Sequence, residues 1–280
     1  MTSAPTLTVV TVVFNDAPGL TRTLDSATPV LDEVEYWIID GSTTGDVREL
    51  VSQRADPRIR LLSEADEGLY DAMNKGLDRA TGDYLLFMNA GDQFQPGFDP
   101  NAFLTGADKV GRILVGYSIE RFDDRDAYLR PAIGSEPNGL HAPAHQATAY
   151  PRSAYTTNRY QQGLIGADWV FTHDCLQTHD AAFVDHLVCE FELGGRSSTY
   201  GDLAVVRDRL RKSFSAKQSI ALLTKTVLWA VLPKRLFYRL LARGKYDYLP
   251  TGERTPVANS GRVIATRRHI LAVGFGSGTP

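Results

Sequence analysis

An uncharged, β-branched run near the N-terminus constrains the fold most: residues 7–14 read LTVVTVVF. A strand that lacks polar alternation is typical of a parallel sheet covered on both faces. Turn-forming residues follow at once, then two leucines at helical spacing, Leu20 and Leu24, and a second apolar run at 34–39 (VEYWII). This succession predicts a β-α-β unit.

The alternation continues as far as residue 92. It predicts helices at about 46–54 and 70–80 and strands at 59–62 and 84–88. We therefore expect an α/β fold, in which a mainly parallel sheet is flanked by helices. Such sheets bind their ligands beyond the carboxyl ends of the strands. Polar residues cluster at the predicted strand ends: Asn15 and Asp16, Asp40 and Ser42, Glu64 and Asp66, Asn89 and Asp92.

The pattern weakens after residue 92. Strands are expected at 113–119 and 127–129, a Pro/Gly-rich loop at 134–144, and partly helical structure at 153–173.

The composition changes at 203–245, where apolar residues at helical spacing are combined with cations. The only acidic residue there is Asp208. We predict a ligand-binding and catalytic domain over 1–200 and a C-terminal helical, basic appendage over 201–280 with a loosely held tail from residue 244. The cations are Arg207, Arg209, Arg211, Lys212, Lys217, Lys225, Lys234, Arg235, Arg239, Arg243 and Lys245.

Overall composition excludes several classes of protein. The net charge of −3 gives no general attraction to nucleic acid. Cys175 and Cys189 have no ligand spacing, so neither a disulfide framework nor a zinc site is expected. The longest apolar stretch, 220–232, contains Lys225 and is shorter than the roughly 20 residues of a spanning helix. We expect a cytoplasmic protein without a secretion signal or transmembrane segment.

Four segments together resemble a known family: LTVVTVVFND at 7–16, IIDGS at 38–42, EGLYDAMNKGLDRATG at 67–82 and YLLFMNAGD at 84–92. They are similar to the inverting family 2 glycosyltransferases of the GT-A fold. The likeness is greatest to the bacterial branch that builds exopolysaccharide, lipopolysaccharide and glycolipid sugars, including colanic-acid and mycobacterial phenolic-glycolipid enzymes. The resemblance implies transfer of a hexose from a nucleotide diphosphate sugar to a glycan or lipid-linked acceptor.

The donor has a base, a ribose diol and two phosphates, which call for hydrogen-bond acceptors and a cation. In the family, the aspartate corresponding to Asp40 contacts the nucleobase and the Asn15 segment lines the same pocket. The alternative is that Asp40-Gly41-Ser42 caps the next helix.

On the helix predicted at 70–80, Asp71, Asn74 and Lys75 lie on adjacent turns of one face. We expect them to reach the base and the diphosphate together. Alternatively, these side chains, Lys75 above all, form a solvated face that interacts only with the helix dipole.

The segment Asn89-Ala90-Gly91-Asp92 stands where the family carries its metal-binding DxD motif, with Asn in place of the first carboxylate. The resemblance implies that Asp92 is the single carboxylate that holds Mg²⁺ or Mn²⁺ across the diphosphate, with Asn89, Ala90 and Gly91 lining the donor site. An ordinary turn after a strand is the alternative.

Asp168, in Gly166-Ala167-Asp168-Trp169, stands where the family has its catalytic aspartate, so we expect it to act as the general base. Ala167 departs from the acidic residue usually found there. The alternative is that Asp168 only stabilises a helix N-terminus through the dipole. Trp169 is expected to stack on a sugar, or else to be a core aromatic.

The pair His145-Gln146 is typical of this branch and suggests a wall of the sugar or acceptor pocket. His145 completing the metal shell is a further possibility, and an ordinary hydrogen-bonded histidine is another.

The apolar and cationic pattern of 203–245 is that of a helix lying on an anionic membrane surface, near a lipid-linked acceptor. Alternatively, the apolar face packs on the catalytic domain. Two rival functions remain. A nucleotidyltransferase would show a Gly-rich, cationic loop after the first strand, but residues 15–19 lack a cation. A non-catalytic nucleotide-sugar-binding homologue is suggested by Asn89 and Ala167.

Overall fold

A computed structural model of the chain describes residues 4–106, 108–121, 126–130, 144–164, 166–193, 203, 206–207, 210, 216–242, 247–250, 259–260 and 263–267. The predicted alternation of strands and helices up to residue 92 is confirmed. Its elements are β1 Leu7–Val13, α1 Ala17–Ala27, β2 Val34–Asp40, α2 Asp46–Arg54, β3 Ile59–Ser63, α3 Leu69–Arg79 and β4 Tyr84–Phe87.

Both later strands that the sequence predicts are present, as β6 and β7. Two helices, α5 and α6, overlap the region 153–173 that is predicted to be partly helical. They are β5 Gln93–Phe94, α4 Pro100–Leu104, β6 Ile113–Arg121, β7 Asp126–Arg130, β8 Thr148–Pro151, α5 Arg152–Tyr155, α6 Ala167–Thr178, β9 Ala181–Glu192, α7 Ala216–Val231, α8 Lys234–Ala242, β10 Asp247–Pro250 and β11 Val263–Arg267. The predicted loop at 134–144 lies outside the described residues except for Ala144.

The strands form one mixed sheet with the order β10-β7-β6-β8-β4-β1-β2-β3 along its main path. Strands β3, β2, β1 and β4 are parallel, whereas β8 is antiparallel to β4 and β6. The register pairs Val13 with Asp40 and Asp40 with Ser63. The carboxyl ends of β1, β2 and β3 therefore lie side by side, which is where an open α/β sheet binds its ligand.

Strand β1 is buried along its whole length because its two faces contact different parts of the core. Val9 packs in the cluster that contains Leu20 and Leu24 of α1, and Val10 packs in the cluster that contains Met73 of α3. Alternate side chains of a strand point to opposite faces, so α1 and α3 cover the sheet from opposite sides. This explains the absence of polar alternation in 7–14.

Strand β9 was not predicted from the sequence, although it is central to the second half of the sheet. It is parallel to β6 and antiparallel to β5 and β11. The prediction of a loosely held tail is wrong for two segments. Residues 247–250 pair with β7, and residues 263–267 pair with β9, because the tail adds strands to backbone groups that the sheet edge would leave unpaired.

The predicted C-terminal helices are present as α7 and α8. Leu228, Trp229 and Leu232 pack on one side against a cluster formed by Tyr128 of β7 with Phe237 and Tyr238 of α8. Within the described part of the chain, no helix is long and apolar enough to cross a membrane. The division at residue 200 stays a prediction, and β10 and β11 beyond it join the same sheet.

Candidate active site

Asp40 ends β2 and is buried. Its Oδ1 accepts a hydrogen bond from the Ser42 backbone N–H (2.9 Å), and its Oδ2 accepts one from the Ser63 hydroxyl (2.7 Å). The alternative role as a helix cap is not supported, because α2 begins only at Asp46 and its N-cap residue, Gly45, makes no side-chain cap. Instead, the carboxylate is held at the carboxyl end of the sheet by the loops after β2 and β3.

Asn15 joins the loops that follow β1 and β2. Its backbone adopts the left-handed conformation, with φ of 51°, which asparagine tolerates better than most residues. Its N–H donates to the Ser42 hydroxyl (2.8 Å), and its Oδ1 accepts from the Thr43 N–H (3.0 Å). Phe14, immediately before it, is 59% exposed. No sequence pattern distinguishes this exposed aromatic ring, which directly follows β1.

Lys75 lies among acidic groups. Its Nζ donates to the Ala65 carbonyl (2.6 Å) and forms salt bridges with Glu64 (3.1 Å) and Asp71 (3.4 Å). Burial acts to lower the pKa of Lys75, but the hydrogen bonds with Glu64 and Asp71 outweigh it, so that the pKa is raised. The side chain is therefore a charged, paired cation next to the end of β3.

Asp71 and Asn74 contact the segment that precedes α6. Oδ1 of Asp71 accepts from the Gln162 amide (2.8 Å), and its Oδ2 accepts from the Glu67 N–H (3.1 Å). The Asn74 side chain both donates to the Tyr160 carbonyl (3.0 Å) and accepts from the Tyr160 N–H (2.9 Å). The expected contacts of Asp71 and Asn74 with the donor stay predictions.

Residues 89–92 form a turn after β4. Asp92 accepts a hydrogen bond at Oδ2 from the Gln146 side-chain amide (2.9 Å). Burial raises the pKa of Asp92 to about 7, against the opposing hydrogen bonds from Gln146 and the Asn89 backbone. The Asn89 Oδ1 atom is buried and has no hydrogen-bond partner among the described residues. The turn thus carries two side-chain oxygen groups, the Asp92 carboxylate, which accepts from Gln146, and the Asn89 Oδ1 atom, which has no partner in the described part of the chain.

Thr23 of α1 holds the turn, and the sequence analysis missed it. Its Oγ1 accepts from the Gly91 N–H (2.9 Å) and donates to the Asp92 carbonyl (2.7 Å). Gly91 has a φ of 98°, a conformation that favours glycine. The Ala90 N–H donates to the Val12 carbonyl (3.1 Å), which places the turn beside the end of β1.

Asp168 is the second residue of α6. Its Oδ1 accepts a hydrogen bond from the Tyr70 hydroxyl of α3 (3.2 Å), and this hydroxyl accepts from the Gly166 N–H (3.1 Å). Burial raises the pKa of Tyr70, and the negative charge of Asp168 raises it further, so the phenol stays protonated and donates. The position in the first helical turn also agrees with the alternative, stabilisation through the helix dipole.

His145 is buried among aromatic side chains. Its ring stacks on Phe87 (centroids 5.0 Å apart), its Nε2 lies 3.3 Å from the Tyr160 hydroxyl, and its Nδ1 lies 3.5 Å from the Tyr150 hydroxyl. Burial lowers the pKa of His145 to about 4, against the opposing charge of Asp168. These contacts support the alternative of a hydrogen-bonded core histidine over a metal ligand.

Trp169 is half-buried, packs against the core cluster on the α3 side and stacks on His173 (6.1 Å between centroids). This placement agrees with the core-aromatic alternative.

The predicted site residues are joined by contacts into one region. Asp40 is paired with the end of β1, and the turn that carries Asp92 hydrogen-bonds to the same strand. Asp92 contacts Gln146, and the neighbouring His145 lies 3.3 Å from the Tyr160 hydroxyl. The Tyr160 ring stacks on Tyr70, which donates a hydrogen bond to Asp168. Asp40 and the turn that carries Asp92 thus lie on either side of the end of β1, and a path of side-chain contacts leads from Asp92 to Asp168.

The model of the family Glycosyl transferase family 2 matches residues 8–176. An uncharacterized glycosyltransferase of Mycobacterium tuberculosis is 31% identical over 228 residues, which cover 76% of this chain and 87% of that protein. A PGL/p-HBAD biosynthesis glycosyltransferase of Mycobacterium bovis is 34% identical over 224 residues, which cover 71% of this chain and 82% of that protein.

Two solved structures are similar in fold. Staphylococcus aureus TarS 1–349 in complex with UDP-GlcNAc aligns with a TM-score of 0.55 at 14% identity, over 83% of this chain and 75% of that one. The mannosyltransferase PcManGT from Pyrobaculum calidifontis, in complex with GDP-Man and Mn²⁺, aligns with a TM-score of 0.51 at 18% identity, over 87% and 80%. The expected GT-A fold is confirmed, and the chain belongs to glycosyl transferase family 2 and is a glycosyltransferase.

Proposed function

We propose that the protein transfers a hexose from a nucleotide diphosphate sugar to a hydroxyl group of a glycan or lipid-linked acceptor, with inversion at the anomeric carbon. The observation that supports it best is a path of contacts from Asp92 to Asp168. Gln146 donates to Asp92, and the adjacent His145 lies 3.3 Å from the hydroxyl of Tyr160, whose ring stacks on Tyr70, the donor to Asp168. This path brings a site for the leaving diphosphate close to a carboxylate that can act as a base. The sugar nucleotides bound by TarS and PcManGT support the donor class.

The nucleoside is assigned to the ends of β1 and β2. Each oxygen of Asp40 accepts one hydrogen bond within the protein and keeps a lone pair for a base N–H. The exposed ring of Phe14 offers a face on which a base can stack. Asn15 links the loop after β1 to the loop after β2. Lys75 supplies a positive charge next to the end of β3.

The turn at 89–92 is assigned to a divalent cation. Oxygen ligands suit Mg²⁺ and Mn²⁺, and the unpartnered Asn89 Oδ1 together with the Asp92 carboxylate fits such an ion. The described residues contain no group of three or more histidine, cysteine or acidic side chains that could hold a metal alone. We therefore expect the donor phosphates to complete the shell. When bound, the cation neutralises charge on the diphosphate.

The reaction is a single displacement. The Asp168 carboxylate takes the proton from the acceptor hydroxyl, and the acceptor oxygen forms a bond to the anomeric carbon with its lone pair. The bond from that carbon to the phosphate oxygen breaks, and its electron pair leaves with the nucleoside diphosphate. The Tyr70 hydroxyl occupies Oδ1 of Asp168, which leaves Oδ2 for the acceptor.

Release of nucleoside diphosphate from UDP, GDP and dTDP sugars in the presence of Mn²⁺ tests the proposal. We expect one donor class to be turned over and the rate to fall roughly 100- to 10,000-fold in Asp168→Asn, as for loss of a general base. Donor binding without turnover in the wild-type protein would instead favour the non-catalytic homologue.

A nucleotidyltransferase is disfavoured by the start of α1. Such enzymes bind phosphate at the helix that follows the first strand. Here the Asp16 carboxylate caps that helix and accepts from the Gly19 N–H (2.8 Å). An anion thus already occupies the helix N-terminus.

We also propose that the protein associates with an anionic membrane surface. Ile220, Leu223, Val227 and Val231 form a row on α7 and are between 47% and 68% exposed. The opposite side of the helix packs on β7 and α8 through the cluster described above. Residues 209–246 contain no acidic residue, so two such surfaces would repel each other, whereas anionic lipid is complementary.

A further inference from the structure

The segment that leads into α6 is attached to α3 by side chains. We call residues 158–166 the base loop, because Asp168 follows it; the structure describes all of it except residue 165. The contacts run along one side of α3: Tyr70 with Gly166, Asp71 with Gln162, Asn74 with Tyr160, and Asp78 with Arg159. The helix α3, which the sequence predicts to bind the donor, therefore holds the loop next to Asp168, the proposed catalytic base.

The pairing of Asn74 with Tyr160 is the most complete of these contacts. The amide nitrogen donates to the Tyr160 carbonyl (3.0 Å) and the amide oxygen accepts from the Tyr160 N–H (2.9 Å). It therefore satisfies both backbone polar groups of one residue in a segment that has no strand partner.

The Tyr160 side chain then connects three elements. Its ring is stacked on Tyr70 of α3 (5.8 Å between centroids, 12° between planes) and on Phe171 of α6 (4.2 Å, 13°). Its hydroxyl lies 3.3 Å from Nε2 of His145. Tyr160 is 3% exposed and its ring packs against Tyr70, Phe171 and His145, so it is a core side chain.

These neighbours lead directly to the proposed reacting groups. Tyr70 donates a hydrogen bond to Asp168, and Gln146, adjacent to His145, donates one to Asp92. Tyr160 thus lies between the element that carries the proposed base and the turn that contacts the proposed metal ligand.

We propose that Asn74 and Tyr160 are positioning residues that hold the base loop, the start of α6 and the His145-Gln146 turn in a fixed relation, and that Asn74 does not bind the donor. The inference rests on the proposed function, because it concerns the placement of Asp168 relative to the sugar. It replaces the donor contact that the sequence led us to expect for Asn74.

The two roles differ in the step that they affect. A donor contact contributes to binding, so its loss raises the dissociation constant. A positioning contact acts on the geometry of proton removal, where a displacement of about 1 Å can cost about 100-fold in rate.

The variants Asn74→Ala and Tyr160→Phe test this, with Asn158→Ala as the matched control. Asn158 lies in the same loop, but its amide bonds only to the Ala154 carbonyl (2.8 Å) and the Thr157 hydroxyl (3.3 Å). We expect kcat to fall about tenfold or more in Asn74→Ala and about threefold in Tyr160→Phe. The donor KM, and the calorimetric affinity for nucleoside diphosphate with Mn²⁺, should stay within about twofold in both. Asn158→Ala should match the wild type in every measurement.

A weaker affinity for nucleoside diphosphate in Asn74→Ala, with unchanged kcat at saturating donor, would overturn the inference. Unchanged kcat in both variants would also overturn it. Tyr160→Phe keeps the stacked ring, so it decides the question if Asn74→Ala does not fold. A wild-type protein that binds donor without turning it over would contradict the proposed function itself, which is a different result from normal turnover in the variants.

Discussion

The side-chain amide of Gln146 donates a hydrogen bond to the Asp92 carboxylate over 2.9 Å. This contact supplies a dipole rather than a positive charge, so it only partly offsets the burial that raises the pKa of Asp92 to about 7. The proposed cation would remove this imbalance, because it brings a charge to the same carboxylate. Above about pH 7, the metal-free protein therefore carries an unfavourable charge at the proposed metal site.

The first prediction concerns this charge. The pKa of Asp92 in the folded protein lies above its ordinary value of 3.8. The folded state therefore binds more protons than the unfolded state between about pH 4 and 7, and the free energy of unfolding falls as the pH rises through that window. We expect Asp92→Asn to raise the Tm of the metal-free protein at pH 8 by about 2–4 °C, which corresponds to ~1 kcal/mol.

Thermal unfolding with and without Mn²⁺ checks this expectation. The gain should vanish near pH 4, where both proteins carry a neutral side chain at position 92. Mn²⁺ with nucleoside diphosphate should stabilise the wild type more than the variant. A lower Tm of Asp92→Asn at pH 8 would contradict the assignment of a desolvated carboxylate that lacks a neighbouring positive charge.

The second prediction concerns Thr23, whose hydroxyl bonds to both Gly91 and Asp92. Thr23→Val keeps the shape but leaves a partly buried N–H and a carbonyl without this partner, which costs about 1 kcal/mol or more. Urea unfolding should show that loss, and titration with Mn²⁺ in the presence of nucleoside diphosphate should show weaker binding.

Thr21→Val is the matched control for Thr23→Val. The Thr21 hydroxyl donates only to the Ala17 carbonyl of its own helix (2.9 Å), so its loss should change the unfolding free energy little and the metal titration not at all. Equal effects of the two substitutions would mean that Thr23 supports the helix and not the turn.

The sequence predicts the first half of the sheet well because β1 and β4 are uncharged apolar runs, β2 and β3 are mostly apolar, and clear helical segments separate them. Strand β9 escapes prediction because Asp185, His186 and Glu190 interrupt its apolar residues. The structure accounts for one of these: His186 is buried and accepts a hydrogen bond at Nε2 from the Asp99 N–H (3.1 Å). A buried polar residue thus interrupts the apolar pattern by which a strand is predicted from the sequence.

The sequence also identifies acidic residues by their place at strand ends, whereas the groups that hold them depend on distant contacts. Thr23 meets Gly91 across 68 positions, and Asn74 meets Tyr160 across 86. A hydroxyl on a helix or a tyrosine in a loop has no local pattern that distinguishes it. For Asn74, the sequence correctly predicts the helix on which the residue lies but not that its partner is Tyr160.

The third prediction concerns His145. Its folded-state pKa of about 4 lies below the ordinary value of 6.5, so the folded protein binds fewer protons than the unfolded protein between these values. Stability is therefore lost as the pH falls from about 6.5 to 4. His186 has the same direction, since burial lowers its pKa to about 4.

We expect His145→Phe to be less stable at pH 7, because the Tyr150 and Tyr160 hydroxyls lose a partner. Its unfolding free energy should nevertheless fall less steeply with acid, by up to about 1.4 kcal/mol per pH unit. Urea unfolding at pH 4.5, 5.5 and 6.5 measures the slope, and His186→Phe should reduce it similarly. A slope equal to that of the wild type would contradict the neutral, buried state of His145.

The fourth prediction concerns the membrane surface on α7 and α8. Besides the exposed row on α7, α8 carries two exposed apolar residues, Leu236 and Leu240, which are 44% and 46% exposed. Apolar side chains that enter the lipid interface add to the attraction of the cations for anionic headgroups. We expect the protein to sediment with phosphatidylcholine vesicles that contain phosphatidylglycerol, and to do so less with pure phosphatidylcholine or in high salt.

The double variant Val227→Gln and Val231→Gln should weaken vesicle binding about tenfold, because it removes exposed apolar side chains from the row without touching the packed side of the helix. Val110→Gln is the matched control: Val110 is 77% exposed in the turn before β6, so its loss should leave vesicle binding unchanged. The rate at which nucleoside diphosphate is released from the donor in the absence of vesicles should be equal in the wild type, the double variant and Val110→Gln. The opposite outcome is a wild-type protein that is a dimer in solution and a double variant that is a monomer but still binds vesicles normally. In that case the apolar row is an interface between two copies of the chain, and the cations of residues 209–246 do not keep the copies apart.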